Sequence, residues 1–183
     1  HWAEHGDRFP MLTTPEPSYH CVVFTDALGP AAYIARARTL PLRNTGAALS
    51  PFNAFLLLQG IETLALRMER HCDNAIKVAE YLLAHDKVES VHFAGLPSSP
   101  HYDLAQKYCD GKPASLKTFE IKGGFDEAVR FYDALGLFKR LVNIGDAKSL
   151  ACHPASTTHR QLTEAEQAAA GVTPGMIRLC FGI

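Results

Sequence analysis

The stretch Asn143-Ile144-Gly145-Asp146-Ala147-Lys148-Ser149-Leu150-Ala151-Cys152-His153-Pro154-Ala155-Ser156-Thr157-Thr158-His159-Arg160 decides how this chain is read. It is dense in small polar residues and stands between two helix-like segments. A strand that only filled a core would be β-branched and aromatic. Loops that hold ligands on a rigid scaffold have the composition seen here. A second string, Ile177-Arg178-Leu179-Cys180-Phe181-Gly182-Ile183, sets one arginine in an otherwise apolar strand. Alternation along a strand turns Arg178 to the face opposite Ile177 and Leu179. A guanidinium there wants a carboxylate, which it grips with two parallel hydrogen bonds. That carboxylate is either a ligand's or a structural partner's, Asp146 or Glu120.

Outward from these strings, the second half of the chain alternates strands and helices. Val88 to Phe93 and Leu116 to Lys122 have the alternation of half-buried strands. His101 to Cys109 reads as a short helix with Leu104, Ala105 and Tyr108 inward. Phe125 to Leu135 reads as a helix with Asp126 and Glu127 where the dipole favours acids. Leu141 to Ala151 is the third strand and its loop, Thr163 with Glu166 is a capping box, and Met176 to Ile183 is the last strand. The expected fold is α/β (α+β): a small, open, mainly antiparallel sheet of about four strands with helices on one face.

Upstream, Ser50-Pro51 is a helix start, with serine at the N-cap and proline at the first helical position. The helix predicted from it runs from Pro51 to His85, and ~35 residues span ~50 Å. Its first half, Phe52 to Leu66, is apolar nearly all round, which predicts burial on more than one side. Ala31 to Leu40 reads as a helix ended or kinked by Pro41. Residues 1–28 lack periodicity, and their prolines favour extended backbone. Trp2, Phe9, Met11 and Tyr19 there need apolar partners. The organisation expected is a junction segment over 1–49, a linking helix over 50–86 and a recognition domain over 87–183.

Totals narrow the class. The 183 residues allow one domain with a real core, and 47% hydrophobic content is ordinary for a globular protein. A net charge of −1 with no basic run argues against a nucleic-acid partner. No apolar stretch is long enough to span a bilayer. Five scattered cysteines, with no C-x-x-C, fit free thiols in a reducing cytoplasm. A start at His1 and a stop on an apolar strand suggest a piece of a longer protein.

The order N-x-G-D-A-K-S-L-x-x-H-P-A-S-T-T-H-R followed by I-R-L-x-x-G-I resembles the C-terminal part of the Cys/Met-metabolism PLP-dependent enzymes. The resemblance extends to Gly29-Pro30-Ala31-Ala32-Tyr33-Ile34-Ala35-Arg36-Ala37-Arg38 and to Leu49-Ser50-Pro51-Phe52-Asn53-Ala54-Phe55. It implies the C-terminal domain of a fold-type I PLP-dependent transferase, commonly a homotetramer. It also implies that Arg178 holds the substrate's α-carboxylate, with Asn143 beside it and Thr158 near the substrate pocket. The lyase and γ-synthase branches have serine where Asn143 stands. Asn143, Asp146 and Lys148 together resemble instead the sulfhydrylase branch, which exchanges the acetate of O-acetyl-L-homoserine for sulfide or methanethiol in methionine biosynthesis. A cystathionine γ-synthase, a γ-lyase and a stand-alone small-molecule-binding module are the alternatives.

For Asn143 the residues alone leave a competing role, an Asx-turn or cap. Ser149 and Ser156 read as hydroxyls that satisfy turn backbone. Cys152 and His153 are adjacent and face apart, and no further ligands are spaced to complete a metal site. His153-Pro154 reads as a fixed turn with a hydrogen-bonded imidazole. In the resembled family the Schiff-base lysine follows S-A-T. No S-x-T-K string and no glycine-rich phosphate cup occur here, so no catalytic, cofactor-binding or metal-binding residue is expected in this chain.

Overall fold

Short apolar clusters between prolines shape the first part of the chain. The computed structural model describes residues 2–183 and divides into two units, one ending at Leu58 and one running from Gln59 to Ile183. In the first, a 3₁₀ turn (Ala3–Arg8) precedes α1 (Pro10–Thr13), α2 (Phe24–Leu28), α3 (Ala32–Ala37) and α4 (Arg43–Thr45). This differs from the extended linker expected. Pro10 stands at a first helical position, where its missing N–H costs nothing. The aromatics find partners locally: Trp2 stacks on Tyr33 at 5.9 Å and meets the edge of Phe9, while Tyr19 packs with buried Phe24. Pro41 does not end its helix. The chain widens into a π-type turn over Arg38–Leu42, which relieves the clash of the proline ring with the preceding turn. Gly46, at φ 66°, then stops α4.

The predicted long helix is two helices, α5 (Pro51–Glu62) and α6 (Leu64–Leu83). Thr63 separates them with non-helical angles, φ −106° and ψ 5°. Ser50 Oγ accepts from the Asn53 N–H, as its N-cap position predicts. None of the apolar residues of α5 is buried among the described residues; Phe52 is 68% exposed. By contrast α6 is amphipathic and buries His71, Cys72, Ala75, Ala79 and Leu82.

The second unit continues with β1 (Val88–His92), α7 (Tyr102–Cys109), β2 (Leu116–Ile121), α8 (Phe125–Ala134), β3 (Lys139–Arg140), β4 (Leu150–Cys152), α9 (Glu164–Ala169) and β5 (Met176–Cys180). The strands order β1-β2-β5-β4-β3, antiparallel except for the last pair. There are thus five strands where about four were expected. The extra one, β3, is two exposed residues long and pairs parallel with β4, too short to leave a period in the sequence. The third strand is also shorter than read: residues 141–149 form no strand, and only Leu150–Cys152 joins the sheet there. In α7 only Ala105 is buried, and Leu104 and Tyr108 face solvent, contrary to expectation. The Thr163–Glu166 capping box forms as its spacing predicts.

One face of the sheet makes the core. Phe119 and Ile121 of β2, Ile177 and Leu179 of β5 and Ala151 of β4 pack with Ala75, Ala79 and Leu82 of α6 and Ala128 of α8. Phe119 meets Phe131 edge-on at 5.6 Å. With those positions inward, strand alternation turns Thr118, Arg178 and Cys152 to the opposite face.

Candidate functional site

Register puts three side chains of that second face in one row. Arg178 pairs with Thr118 of β2 on one side and with Cys152 of β4 on the other. The arginine is half-buried. Neither carboxylate weighed as its structural partner holds it. Glu120 accepts from the Thr173 hydroxyl and, at 3.1 Å, from the Gly175 N–H. Asp146 accepts from the Lys148 N–H at 2.9 Å and lies 3.9 Å from the Lys148 ammonium. Among the described residues, no hydrogen bond or ion pair engages the Arg178 guanidinium. A half-buried guanidinium with no protein partner is fit to bind an anion of carboxylate geometry.

Asn143 lies on the loop between β3 and β4. Because those strands run parallel and the Leu141 N–H donates to the Ala151 carbonyl, the chain leaves β3 beside the Cys152–Arg178 pair. Asn143 follows two residues later, exposed, with its Oδ1 accepting from the Ile144 N–H at 2.9 Å. This bond reaches the next residue rather than the second one on, as an Asx-turn would, and the amide NH₂ of Asn143 also hydrogen-bonds the Asp146 carboxylate, which holds the side chain in the loop. Backbone bonding from Lys148 is the first cause that holds the Asp146 carboxyl below its usual range. The Lys148 charge, the Asn143 amide and His71 add to this, against a smaller rise from burial.

Thr158 follows the 3₁₀ turn Pro154–Ser156 at the exit of β4. It is exposed, and its hydroxyl is 2.9 Å from His159 Nδ1. Thr157 donates to the His153 carbonyl at 2.7 Å and touches Cys152 Sγ at 3.1 Å. His153 is fully buried. Its Nε2 lies 2.8 Å from the Pro174 carbonyl, an acceptor only, so the proton sits there and Nδ1 accepts from Ser156 Oγ at 2.8 Å. Ser149 Oγ accepts from the Gly182 N–H. These residues pin the turn, as the sequence suggests for Ser149, Ser156 and His153. Arg178, Asn143 and Thr158 thus belong to β5 and to the two ends of β4, with no hydrogen bond joining any two of them.

Two groups went unread in the sequence. Lys117 is buried on the core face of β2, where its amine donates to the Ala75 carbonyl and lies 4.4 Å from the centre of the Phe181 ring and 5.0 Å from that of Phe93. Its position two residues before Phe119 and four before Ile121 was the available signal. His71 is fully buried, with no hydrogen-bond partner for either ring nitrogen among the described residues. No cluster of three His, Cys, Asp or Glu among the described residues could hold a metal ion. A PLP lysine needs an open pocket, an aspartate for the ring nitrogen and a phosphate cup, and the residues present do not fit that group: Lys148 is 70% exposed beside Asp146, and Lys117 is enclosed in the core. No helix among the described residues is long and apolar enough to cross a membrane.

Comparisons with known proteins give the family of the chain as a whole. A family model described as Cys/Met metabolism PLP-dependent enzyme matches residues 20–183. The chain is 50% identical to O-acetyl-L-homoserine sulfhydrylase 1 of Thermus thermophilus over 97% of its own length and 42% of that protein's. It is 47% identical to homocysteine synthase of Schizosaccharomyces pombe, again over 42% of the relative. Among solved structures it is similar to a Campylobacter jejuni protein described as an O-acetylhomoserine (thiol)-lyase, which carries a pyridoxyl-lysine phosphate; the TM-score is 0.85 at 44% identity, covering 96% of this chain and 42% of that one. The O-acetylhomoserine sulfhydrylase of Wolinella succinogenes superposes with a TM-score of 0.70 at 36% identity, over 87% of this chain and 42% of that one. The chain therefore spans about two fifths of the length of these relatives.

Proposed function

The chain belongs to the Cys/Met metabolism PLP-dependent enzyme family, and on that premise we propose that it is the substrate-recognition part of an O-acetyl-L-homoserine sulfhydrylase. The observation that carries this reading is Arg178, half-buried on the second face of β5 and bound to no carboxylate among the described residues. Arg178 binds the α-carboxylate of O-acetyl-L-homoserine, the Asn143 side chain beside it orients it, and Thr158 lines the pocket. The reaction of the whole enzyme is a replacement at the γ-carbon. The C–O bond breaks, acetate leaves with the bonding pair, and the sulfur of sulfide takes its place to give homocysteine. Methanethiol as acceptor gives methionine.

No step of that exchange falls to the residues of this chain. Their share is orientation, which lowers the barrier by holding the reacting carbon in line. PLP is held by residues outside these 183. The enzyme is a cytoplasmic homo-oligomer, a tetramer. Two observations support that: the five cysteines are free thiols, and α5 leaves an apolar surface exposed among the described residues.

The test is steady-state kinetics of the full-length enzyme. Loss of a charge-assisted, two-pronged grip raises KM for O-acetyl-L-homoserine about 10- to 100-fold in Arg178→Ala. Unchanged kinetics would overturn the assignment. Supplying cysteine in place of sulfide separates the alternatives, because cystathionine as the main product would make the protein a γ-synthase.

A further inference from the structure

The loop that carries Asn143 has no regular structure of its own, so something else must set its position. Three hydrogen bonds tie the end of that loop to the core, and all involve Gly182 or Ile183, the second and third residues after β5. The Gly182 N–H donates to Ser149 Oγ at 3.0 Å, and the Ile183 N–H donates to the Ala147 carbonyl at 3.1 Å. On the other side, the Gly182 carbonyl accepts from Asn74 Nδ2 at 2.9 Å. Asn74 is half-buried on α6, one residue before Ala75 and five before Ala79, which pack in the core. Gly182 is thus a splint, gripped by a rigid helix on one side and gripping the loop on the other. Its fit is tight: a Cβ there would lie 2.7 Å from the Ala147 carbonyl carbon and closer still to its oxygen. No other side chain of α6 hydrogen-bonds to this splint among the described residues.

We propose that Asn74 is a positioning residue for substrate recognition, fixing through the Gly182 carbonyl the loop from which Asn143 reaches the substrate carboxylate. The proposal rests on the recognition reading above. It requires only a donor at that place. Asparagine supplies one on a short, stiff stem, and the isosteric aspartate would turn an acceptor towards the Gly182 carbonyl.

The experiment uses the full-length, PLP-loaded enzyme with three variants, Asn74→Ala, Asn74→Asp and Arg178→Ala. Three readouts are taken: kcat and KM for O-acetyl-L-homoserine, the melting temperature, and amide hydrogen exchange at Gly182 and Ile183. Loss of one hydrogen bond between protein groups predicts a KM raised about fivefold in Asn74→Ala. In the same variant kcat stays within about twofold and exchange at both amides is faster. Asn74→Asp matches or exceeds the alanine effect. A role confined to helix stability would lower the melting temperature without dividing KM from kcat, and that result overturns the proposal. Faster exchange with unchanged KM also overturns it, while a raised KM in Arg178→Ala leaves the recognition reading standing. If Arg178→Ala is itself unchanged, the recognition reading fails, and the proposal with it. Unchanged exchange in both Asn74 variants removes the mechanical link whatever the kinetics.

Discussion

Replacing Lys117 with methionine should make the protein more stable, and the gain should depend on pH. Lys117 is 1% exposed, between α6 and the sheet, and burial depresses its pKa from 10.5 to about 7; the more distant Glu80 pulls the other way. The unfolded chain holds this proton up to about pH 10.5, whereas the folded chain gives it up near 7. Between those values the unfolded state binds more protons, so native stability rises with pH across the window. Below about 7 both states are charged and the full cost of burying the ammonium is present. A gap of this width, at about 1.36 kcal/mol per pH unit, sets an upper bound of about 5 kcal/mol. The Phe93 and Phe181 rings and the Ala75 carbonyl favour the charged form and offset part of it. Methionine keeps the length and the ring contacts and carries no charge. Lys117→Met should therefore gain about 2–4 kcal/mol at pH 7, shrinking to near zero by about pH 10.5. Urea denaturation from pH 6.5 to 10 measures it, with wild type climbing and the variant flatter. A variant no more stable at pH 7, with an unchanged slope, would refute the reasoning.

Other outcomes follow from the same structure. The pKa of His71 is lowered first by burial and then by the Arg67 charge, against a rise from Asp146. The folded protein therefore resists protonation below about pH 6.5 while the unfolded chain accepts it, and stability falls as the medium becomes more acid. Thermal melts of His71→Leu at pH 5 and 8 should show the acid loss reduced. Thr163→Ala removes a complete capping box and should cost about 1 kcal/mol in chemical denaturation. Phe119→Ala opens the centre of the core and should cost about 3–5 kcal/mol by the same measurement.

Much of this was legible in advance, and the misses have identifiable causes. The turn at His153, the capping box at Thr163 and the lone arginine of β5 are local or period-two signals, and each reads directly from neighbours in sequence. The Lys117 burial was also written there, because lysine two and four residues before Phe119 and Ile121 shares their face. Reading the strand as alternation without asking which residues it put inward hid it. The break at Thr63 left only a weak trace, Gly60 three residues before it, because Glu62, Leu64, Ala65 and Arg67 around it all favour helix. Nor was β3, whose two residues are paired only because β4 lies alongside. The grip of Asn74 on Gly182 joins positions 108 residues apart, and no local pattern encodes a contact of that range.

The flanks of the sheet carry a further consequence. A terminal strand with free amides and carbonyls invites a neighbouring molecule to add to it and start a growing fibre. Here one flank is β3, two residues long and made only of Lys139 and Arg140. The other is β1, whose pairing slips between Val88 and Ser90, with Glu89 exposed at the irregularity. A short cationic stub and a kinked acidic strand are both poor templates, so this sheet resists polymerising through its ends.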